Sequence, residues 1–238
     1  MKILSIDFDY FQDIPDAKNI SLYYPDGVDH PTYLSEIIWG SKYAFHKKEI
    51  EQTMIREDEL FVLENMLLAQ NEKIPVLITQ SHKHIYDFVN EHKDDNLTIM
   101  NADLHHDIIN NNKCVDCGNW AGHLIKENEG ANFLWITHPL SKEVYGFTEQ
   151  DSDVFDTITL SGLSKVKNEK FDAVFLCRSD NWFPPHLDKY FVETVSLIKD
   201  KFDNVILEKD VDKPRNYYLK EAKQIKNFIA KETTKDIL

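Results

Sequence analysis

Asp103, His105 and Asp107 lie two residues apart in the run Asn101-Ala102-Asp103-Leu104-His105-His106-Asp107. The residues just before it, Leu97-Thr98-Ile99-Met100, read as a short apolar strand. Residues two apart on extended backbone share a face, so the spacing predicts three metal-competent side chains converging where that strand runs out. Ser5-Ile6-Asp7-Phe8-Asp9 repeats the pattern, with Asp7 and Asp9 on one face. Two such carboxylates repel unless a cation or a proton holds them. His82 follows the strand Pro75 to Thr79 at a strand-to-helix junction, where α/β proteins place their ligands. His84 is its substitute if the junction is displaced, and His106 is read as a supporting or surface residue. Asp7, Asp9, His82, Asp103, His105 and Asp107 thus offer four carboxylates and two imidazoles. Mixed oxygen and nitrogen donors without thiolate suit Mn²⁺, Fe²⁺ or Zn²⁺ better than Ca²⁺. Six such ligands suffice for two ions, and a pair ~3.5–4 Å apart can activate water at neutral pH.

The elements that must position these groups alternate. Lys2 to Ile6, Pro75 to Thr79, Leu97 to Met100, Asn132 to Thr137, Phe171 to Cys177 and Asn204 to Leu207 read as strands, with Val154 to Leu160 as a further one at an edge. Helices are expected over Glu49 to Asn71, from Ile85 onward, over His186 to Lys201 and over Tyr217 to Lys231. Gln12 to Ser41 reads as irregular, and long loops of that kind often wall a substrate site. Polar residues collect after the strands: His138 after Thr137, and Asp180 after Cys177. The pattern predicts an open, mainly parallel, doubly wound sheet with helices on both faces and a site at the strands' carboxyl ends. A single domain over residues 1–238 accommodates it.

Composition narrows the chemistry. Twenty-seven basic and forty-one acidic residues give a net charge of −14, which argues against a nucleic-acid footprint. No run approaches a membrane span. Met1 to Asp7 leads straight into a strand without the anatomy of a signal peptide, so the expected location is cytoplasmic. Seven glycines leave little for a phosphate-cradling loop. Three cysteines do not suggest a disulfide scaffold. Cys114 and Cys117 form a Cys-x-x-Cys, but a structural zinc site would need two further ligands.

Asp103-x-His105-x-Asp107 resembles the Asp-x-His-x-Asp signature of the arginase (ureohydrolase) superfamily. Gln80-Ser81-His82 is similar to that family's histidine motif without its glycines, and Ser5-Ile6-Asp7-Phe8-Asp9 to its Ser-Phe-Asp-x-Asp motif. Cys117-Gly118-Asn119 resembles the Ser-Gly-Asn of the arginase substrate loop. The order differs, because the Asp-x-Asp strand opens this chain, and the resemblance therefore implies a circularly permuted arginase-like three-layer sheet. Asn119-Trp120 and Trp135-Ile136-Thr137-His138-Pro139 bring the chain nearest to the peptide arginases, which convert arginine side chains in ribosomal peptides to ornithine.

That resemblance implies two Mn²⁺ ions, bridged by Asp7 and Asp103. His82 and Asp107 would complete one ion, and His105 and Asp9 the other. Asp107 would also hydrogen-bond the attacking hydroxide. It implies an arginine-containing peptide as substrate, urea and ornithine as products, and no nucleic-acid or membrane partner. His123, with His138 as the alternative, is expected to pass the proton to the departing amine. Neither falls on the family's histidine position, which here is Ala121. Asn119 and Asp180 are expected to bind substrate, Asp180 through a charge-assisted pair with the guanidinium. Gln12 to Ser41 and the acidic surface are where peptide contacts are expected. The competing readings are a haloacid-dehalogenase-like Mg²⁺ phosphatase with Asp7 as nucleophile, a zinc deacetylase on the same superfamily fold, and a non-catalytic module with a structural metal. The phosphatase reading leaves His82 and the Asp103–Asp107 run unexplained.

Overall fold

The structure is a computed structural model that describes residues 1–15, 29–93, 96–108, 113–141, 158–217, 220 and 224. Seven parallel strands form the main sheet: β1 (Lys2–Asp7), β4 (Pro75–Thr79), β5 (Thr98–Asp103), β6 (Asn132–Thr137), β7 (Ile158–Ser161), β8 (Ala173–Cys177) and β9 (Asn204–Leu207). Their order is β7-β6-β5-β1-β8-β4-β9. The strand that opens the chain is therefore the middle one, with β5 on one side and β8 on the other. Two short strands, β2 (Gln12–Asp13) and β3 (Met54–Ile55), pair antiparallel apart from it. The described helices are α1 (Thr32–Ile50), α2 (Glu57–Leu68), α3 (Ile85–His92), α4 (Trp120–Glu127), α5 (Leu163–Val166) and α6 (Asp188–Lys201). No helix among the described residues is long and apolar enough to cross a membrane.

Strand parity divides the core into two layers. Leu4, Ile6, Val76, Ile78, Ala102, Val174 and Leu176 face one way and pack with Leu63 and Leu67 of α2 and Phe191, Val195 and Ile198 of α6. Ile3, Ile99, Phe133, Trp135, Ala173 and Phe175 face the other way, against Ile85 and Val89 of α3 and Trp120 and Leu124 of α4. The result is a three-layer α/β sandwich. The second face changes character toward the carboxyl ends of the strands. After Ile3 come Ser5 and Asp7; after Ile99 come Asn101 and Asp103, and all four polar residues are buried. Ser5 pairs with Asn101 in the β1–β5 register, and continuing that register sets Asp7 beside Asp103.

Several expected boundaries move. Gln12 to Ser41 is not irregular throughout, because α1 begins at Thr32, directly after Pro31. Its buried Ser35, Trp39, Tyr43 and Ile50 follow the helical period. Glu49 to Asn71 is not one helix. Met54–Ile55 leaves helical geometry to pair with Gln12–Asp13, and Arg56 N–H donates to Phe11 C=O at 2.8 Å. Tertiary pairing thus overrides local helix propensity there. The expected edge strand is present as β7, at residues 158–161. The first part of that expected strand and nearly all of the expected closing helix over Tyr217 to Lys231 lie outside the described residues, as do residues 16–28 of the expected peptide-contact segment.

Candidate metal centre

Both central strands end in the same device. Asp7 Oδ1 accepts the backbone N–H of Asp9 at 3.1 Å, and Asp103 Oδ1 accepts that of His105 at 2.8 Å. Each aspartate therefore turns the chain at once through its own side chain. Asp9 consequently lies in a 3-10 turn over Phe8–Phe11 rather than on extended backbone, and Asp107 sits at φ 54°. The predicted convergence is present, but tight turns produce it and strand alternation does not. The turn after β1 is anchored by Phe8, whose ring meets Phe11, Phe183 and Phe191 at 5.0–5.2 Å between centroids.

Five of the six predicted ligands come together in two metal-competent groups that share Asp103, and the sixth, Asp107, adjoins the first group through His82. In the first, His82 Nδ1 lies 3.2 Å from Asp7 Oδ2, 3.2 Å from Asp103 Oδ2 and 3.0 Å from Asp107 Oδ2. In the second, His105 Nδ1 lies 3.1 Å from Asp9 Oδ2 and 3.5 Å from Asp103 Oδ1. The oxygens of Asp103 thus face different imidazoles, as expected of a carboxylate shared between two centres. The side chain of His105 is 21% exposed, whereas those of the other five are 0–4% exposed, so the centre opens on the His105 side. Trp182, half-buried, stands edge-on to that imidazole at 6.1 Å.

The donor set fits a divalent cation. His82 Nδ1 and Asp9 Oδ2 are buried without a hydrogen-bond partner, although carboxylates or an imidazole lie close by. Donor atoms that crowd one spot without bonding each other are arranged as ligands around a common ion. The protonation balance points the same way. Burial and the neighbouring Asp7 push Asp9 well above the usual carboxylate range, and burial and Asp103 push Asp107 up. Against its own burial, Asp103 is held low by the neighbouring His105 and His82 imidazoles. Burial disfavours the His82 imidazolium, but Asp103, Asp107 and Asp7 outweigh it and raise this histidine well above its ordinary value. Without a cation, protons must hold these four carboxylates together.

A surrounding shell holds the ligands in place, and only part of it was read from the sequence. His82 Nε2 lies 2.8 Å from Ser5 Oγ, and its ring stacks on Phe175 at 5.6 Å with 10° between planes. With Nε2–H donating to Ser5, the Nδ1 lone pair faces the carboxylates, which is the usual outer-shell control of a ligating histidine. Asn101 donates to Asp103 Oδ2 at 3.2 Å, Ser179 Oγ to Asp7 Oδ2 at 2.8 Å, and Trp120 Nε1 to Asp107 Oδ2 at 2.6 Å. The first turn of α4 caps the motif loop, with Ala121 and Gly122 N–H donating to Asp107 C=O at 3.0 and 3.3 Å. A Cβ at Gly122 would come 3.3 Å from the Ile108 carbonyl oxygen, a tight contact that the backbone would have to relieve by a few tenths of an ångström. Replacing Trp120 with Phe is expected to lower divalent-metal affinity about 10–100-fold. Competition with a chelating indicator measures this, and an unchanged affinity would remove Trp120 from the shell.

The other expected site residues are placed differently. Asp180 does not present a free carboxylate. Arg178 Nε and Nη2 donate to it at 2.5 and 3.2 Å, and Thr32 Oγ1 donates at 2.7 Å. The guanidinium it meets belongs to the chain itself. Asn119 knits the Cys114–Cys117 loop, accepting from Asp116 N–H at 2.8 Å and donating to Cys114 C=O at 3.0 Å. Neither metal-competent group among the described residues contains a cysteine, and no disulfide joins Cys114, Cys117 or Cys177. His123 belongs to neither metal-competent group; it stands edge-on to Tyr86 at 6.3 Å, with Nδ1 4.0 Å from Glu127 Oε1 and Nε2 buried without a hydrogen-bond partner. His106 Nδ1 accepts the Ile108 N–H at 3.0 Å and is no ligand.

His138 is locked in the neutral form. Its Nε2–H donates to Gln12 C=O at 2.7 Å, and its Nδ1 accepts the Leu140 N–H at 3.0 Å. Burial pulls its pKa down to about 4, so it is a poor proton carrier at neutral pH. The sign of the resulting stability change follows. The unfolded chain takes up this proton near pH 6.5 and the folded chain only near 4, so stability falls as pH drops through that window, by about 3 kcal/mol in all. Urea unfolding from pH 7 to 4 tests this, and His138→Gln is expected to flatten that part of the profile.

Comparison with known protein families, curated proteins and solved structures finds no match to this chain.

Proposed function

We propose that this chain is a two-metal hydrolase that cleaves the guanidinium group of arginine side chains in a peptide, releasing urea and leaving ornithine. The observation that carries the reading is Asp103, shared between two groups that each hold a histidine Nδ1 and further carboxylate oxygens. Asp7, His82, Asp103 and Asp107 would hold one divalent ion, and Asp9, Asp103 and His105 the other, with Mn²⁺ the expected metal. Ions bound there would supply a water activated at neutral pH and positive charge opposite the negative charge that develops. In the net reaction, water adds to the guanidinium carbon, the bond from that carbon to the side-chain nitrogen breaks, and that nitrogen takes up a proton.

The chain's own residues set the conditions for this chemistry. Ser5, Ser179, Asn101 and Trp120 fix the orientation of His82, Asp7, Asp103 and Asp107 before any ligand arrives, so little reorganisation is left for the reaction. The exposed edge of His105 beside Trp182 gives substrate its way in. The arginase-like reading of the sheet, permuted so that the Asp-x-Asp strand leads, is supported by the sheet order that puts this strand in the middle, between the other ligand-bearing strands. The acidic surface favours a cationic substrate. A phosphatase with Asp7 as nucleophile would leave the second ligand group without a purpose.

The test is direct. Mn²⁺-loaded protein is incubated with arginine-containing peptides and with free arginine, and urea and the arginine-to-ornithine mass change are measured. Urea from peptides is the expected result. No urea with any divalent metal overturns the reading.

A further inference from the structure

With Asp180 committed to the chain's own arginines, the guanidinium acceptor expected after β8 is missing, yet another carboxylate stands beside the metal centre. Asp29 enters immediately before α1, and its side chain is 11% exposed. It is held from two sides. Ser81, next in sequence to the ligand His82, donates its hydroxyl to Asp29 Oδ2, and Asn181 Nδ2 donates to Oδ1 at 3.1 Å. Asn181 also donates to His30 C=O at 3.0 Å, so the strap carrying Asp29 is fixed against the loop that supports Asp7. Ser81 and Asn181 thus tie Asp29 to the segment that carries His82 and to the loop whose Ser179 donates to Asp7 at 2.8 Å.

What separates Asp29 from Asp180 and Asp188, the buried carboxylates paired with arginine, is its charge balance. Asp180 is met by Arg178, whose side chain is 1% exposed, and Asp188 by the equally buried Arg215. Among the described residues, Asp29 accepts hydrogen bonds from the neutral Ser81 and Asn181, Lys83 Nζ stands 3.9 Å away on a side chain 46% exposed, and His84 acts on it more weakly than Lys83. A largely buried, preoriented carboxylate whose counter-ion is an exposed lysine is matched to an incoming cation that can take the place of that lysine. We infer that Asp29 binds the positively charged side chain of the substrate beside the metal centre and sets the preference for arginine over neutral side chains. This inference rests on the reading of the centre as a guanidinium hydrolase.

Wild-type protein and Asp29→Asn, both loaded with Mn²⁺, are titrated calorimetrically with N-acetylarginine amide and with its citrulline counterpart, which has nearly the same shape but no charge. Urea is assayed in the cell afterwards, and metal content and thermal unfolding are recorded for each protein. The wild type is expected to bind the arginine compound about 10–100-fold more tightly. Asp29→Asn is expected to lose that preference at unchanged metal content, and Asp29→Glu, which keeps the charge, to retain most of it. A preference that survives in Asp29→Asn overturns the inference, as does equal weakening of both compounds or loss of metal, which would mark Asp29 as structural. A wild type without any preference also overturns it. A wild type that prefers arginine but releases no urea overturns the hydrolase reading and leaves the role of Asp29 standing. Urea release with an unchanged preference in Asp29→Asn overturns the role of Asp29 alone.

Discussion

Asp103→Asn should abolish binding of both metal ions and reduce urea formation by more than about 10³-fold. Losing one outer-shell partner of a metal ligand costs about 10–100-fold, and Asp103 is a direct ligand candidate for both centres. Asparagine keeps the volume and can still accept the His105 N–H, so the fold should survive with a loss of about 1–3 kcal/mol from the disturbed contacts to His82 and Asn101. The decisive measurement is thermodynamic linkage rather than activity. An ion at 100 times its Kd stabilises the folded state by about 2.7 kcal/mol. For a domain of this size that raises Tm by about 5–10 °C. Mn²⁺ should produce such a shift in the wild type and none in Asp103→Asn. A variant that still takes up two ions per chain would show that the shared carboxylate is not Asp103.

The residues that would bind metal could be read from the sequence because their chemistry is local. An Asp at a strand end followed by Asp or His two residues on has few uses besides turning the chain and holding a cation, and here Asp7 and Asp103 do the first in a way that allows the second. The alternation argument reached the right residues by an incomplete route, since it assumed extended backbone where Asx turns bring Asp9 and His105 together. Ser5 and Asn101 could have been found by the same parity that found Asp7 and Asp103, because a polar residue two places before a ligand on a buried strand must meet something. Ser179 and Trp120 could not, because they reach the centre from a loop and a helix whose approach depends on tertiary packing.

The strands and most of the sheet were legible for a related reason. Parallel strands buried on both faces read as continuous apolar runs. Helix α1 was not, because its buried face is carried partly by Ser35, which donates to Asp180 C=O at 2.6 Å, and by Trp39, whose Nε1 donates to the same oxygen at 2.8 Å. Such a helix has no plain apolar stripe. Histidines were the least legible residues. His82, His123 and His138 are alike in sequence, each near a strand or helix end, and only their partners separate a ligand from a packed ring and a locked neutral one.

Arg215→Ala is expected to be the most destabilising single change among the described residues. The side chain is 1% exposed and donates to Asp188 through Nε at 3.0 and 3.2 Å and through Nη2 at 2.5 Å. It also donates to Asp180 C=O at 2.5 Å and to Phe183 C=O at 2.7 Å. Removing it strands Asp188 as a buried, uncompensated charge, which costs about 3–5 kcal/mol. In a chain of this size that is a fall in Tm of about 10–15 °C. The consequence extends to the metal centre, because the loop that Arg215 clamps carries Ser179, which sits at φ 60° and donates to Asp7. Metal affinity should therefore fall about 10–100-fold although no ligand has been touched. Asp180→Asn supplies the contrast. A guanidinium acceptor would lose kcat/KM at constant Tm, whereas a carboxylate that pairs Arg178 and faces Arg215 should lose stability first, and urea unfolding of the two variants against the wild type separates these outcomes.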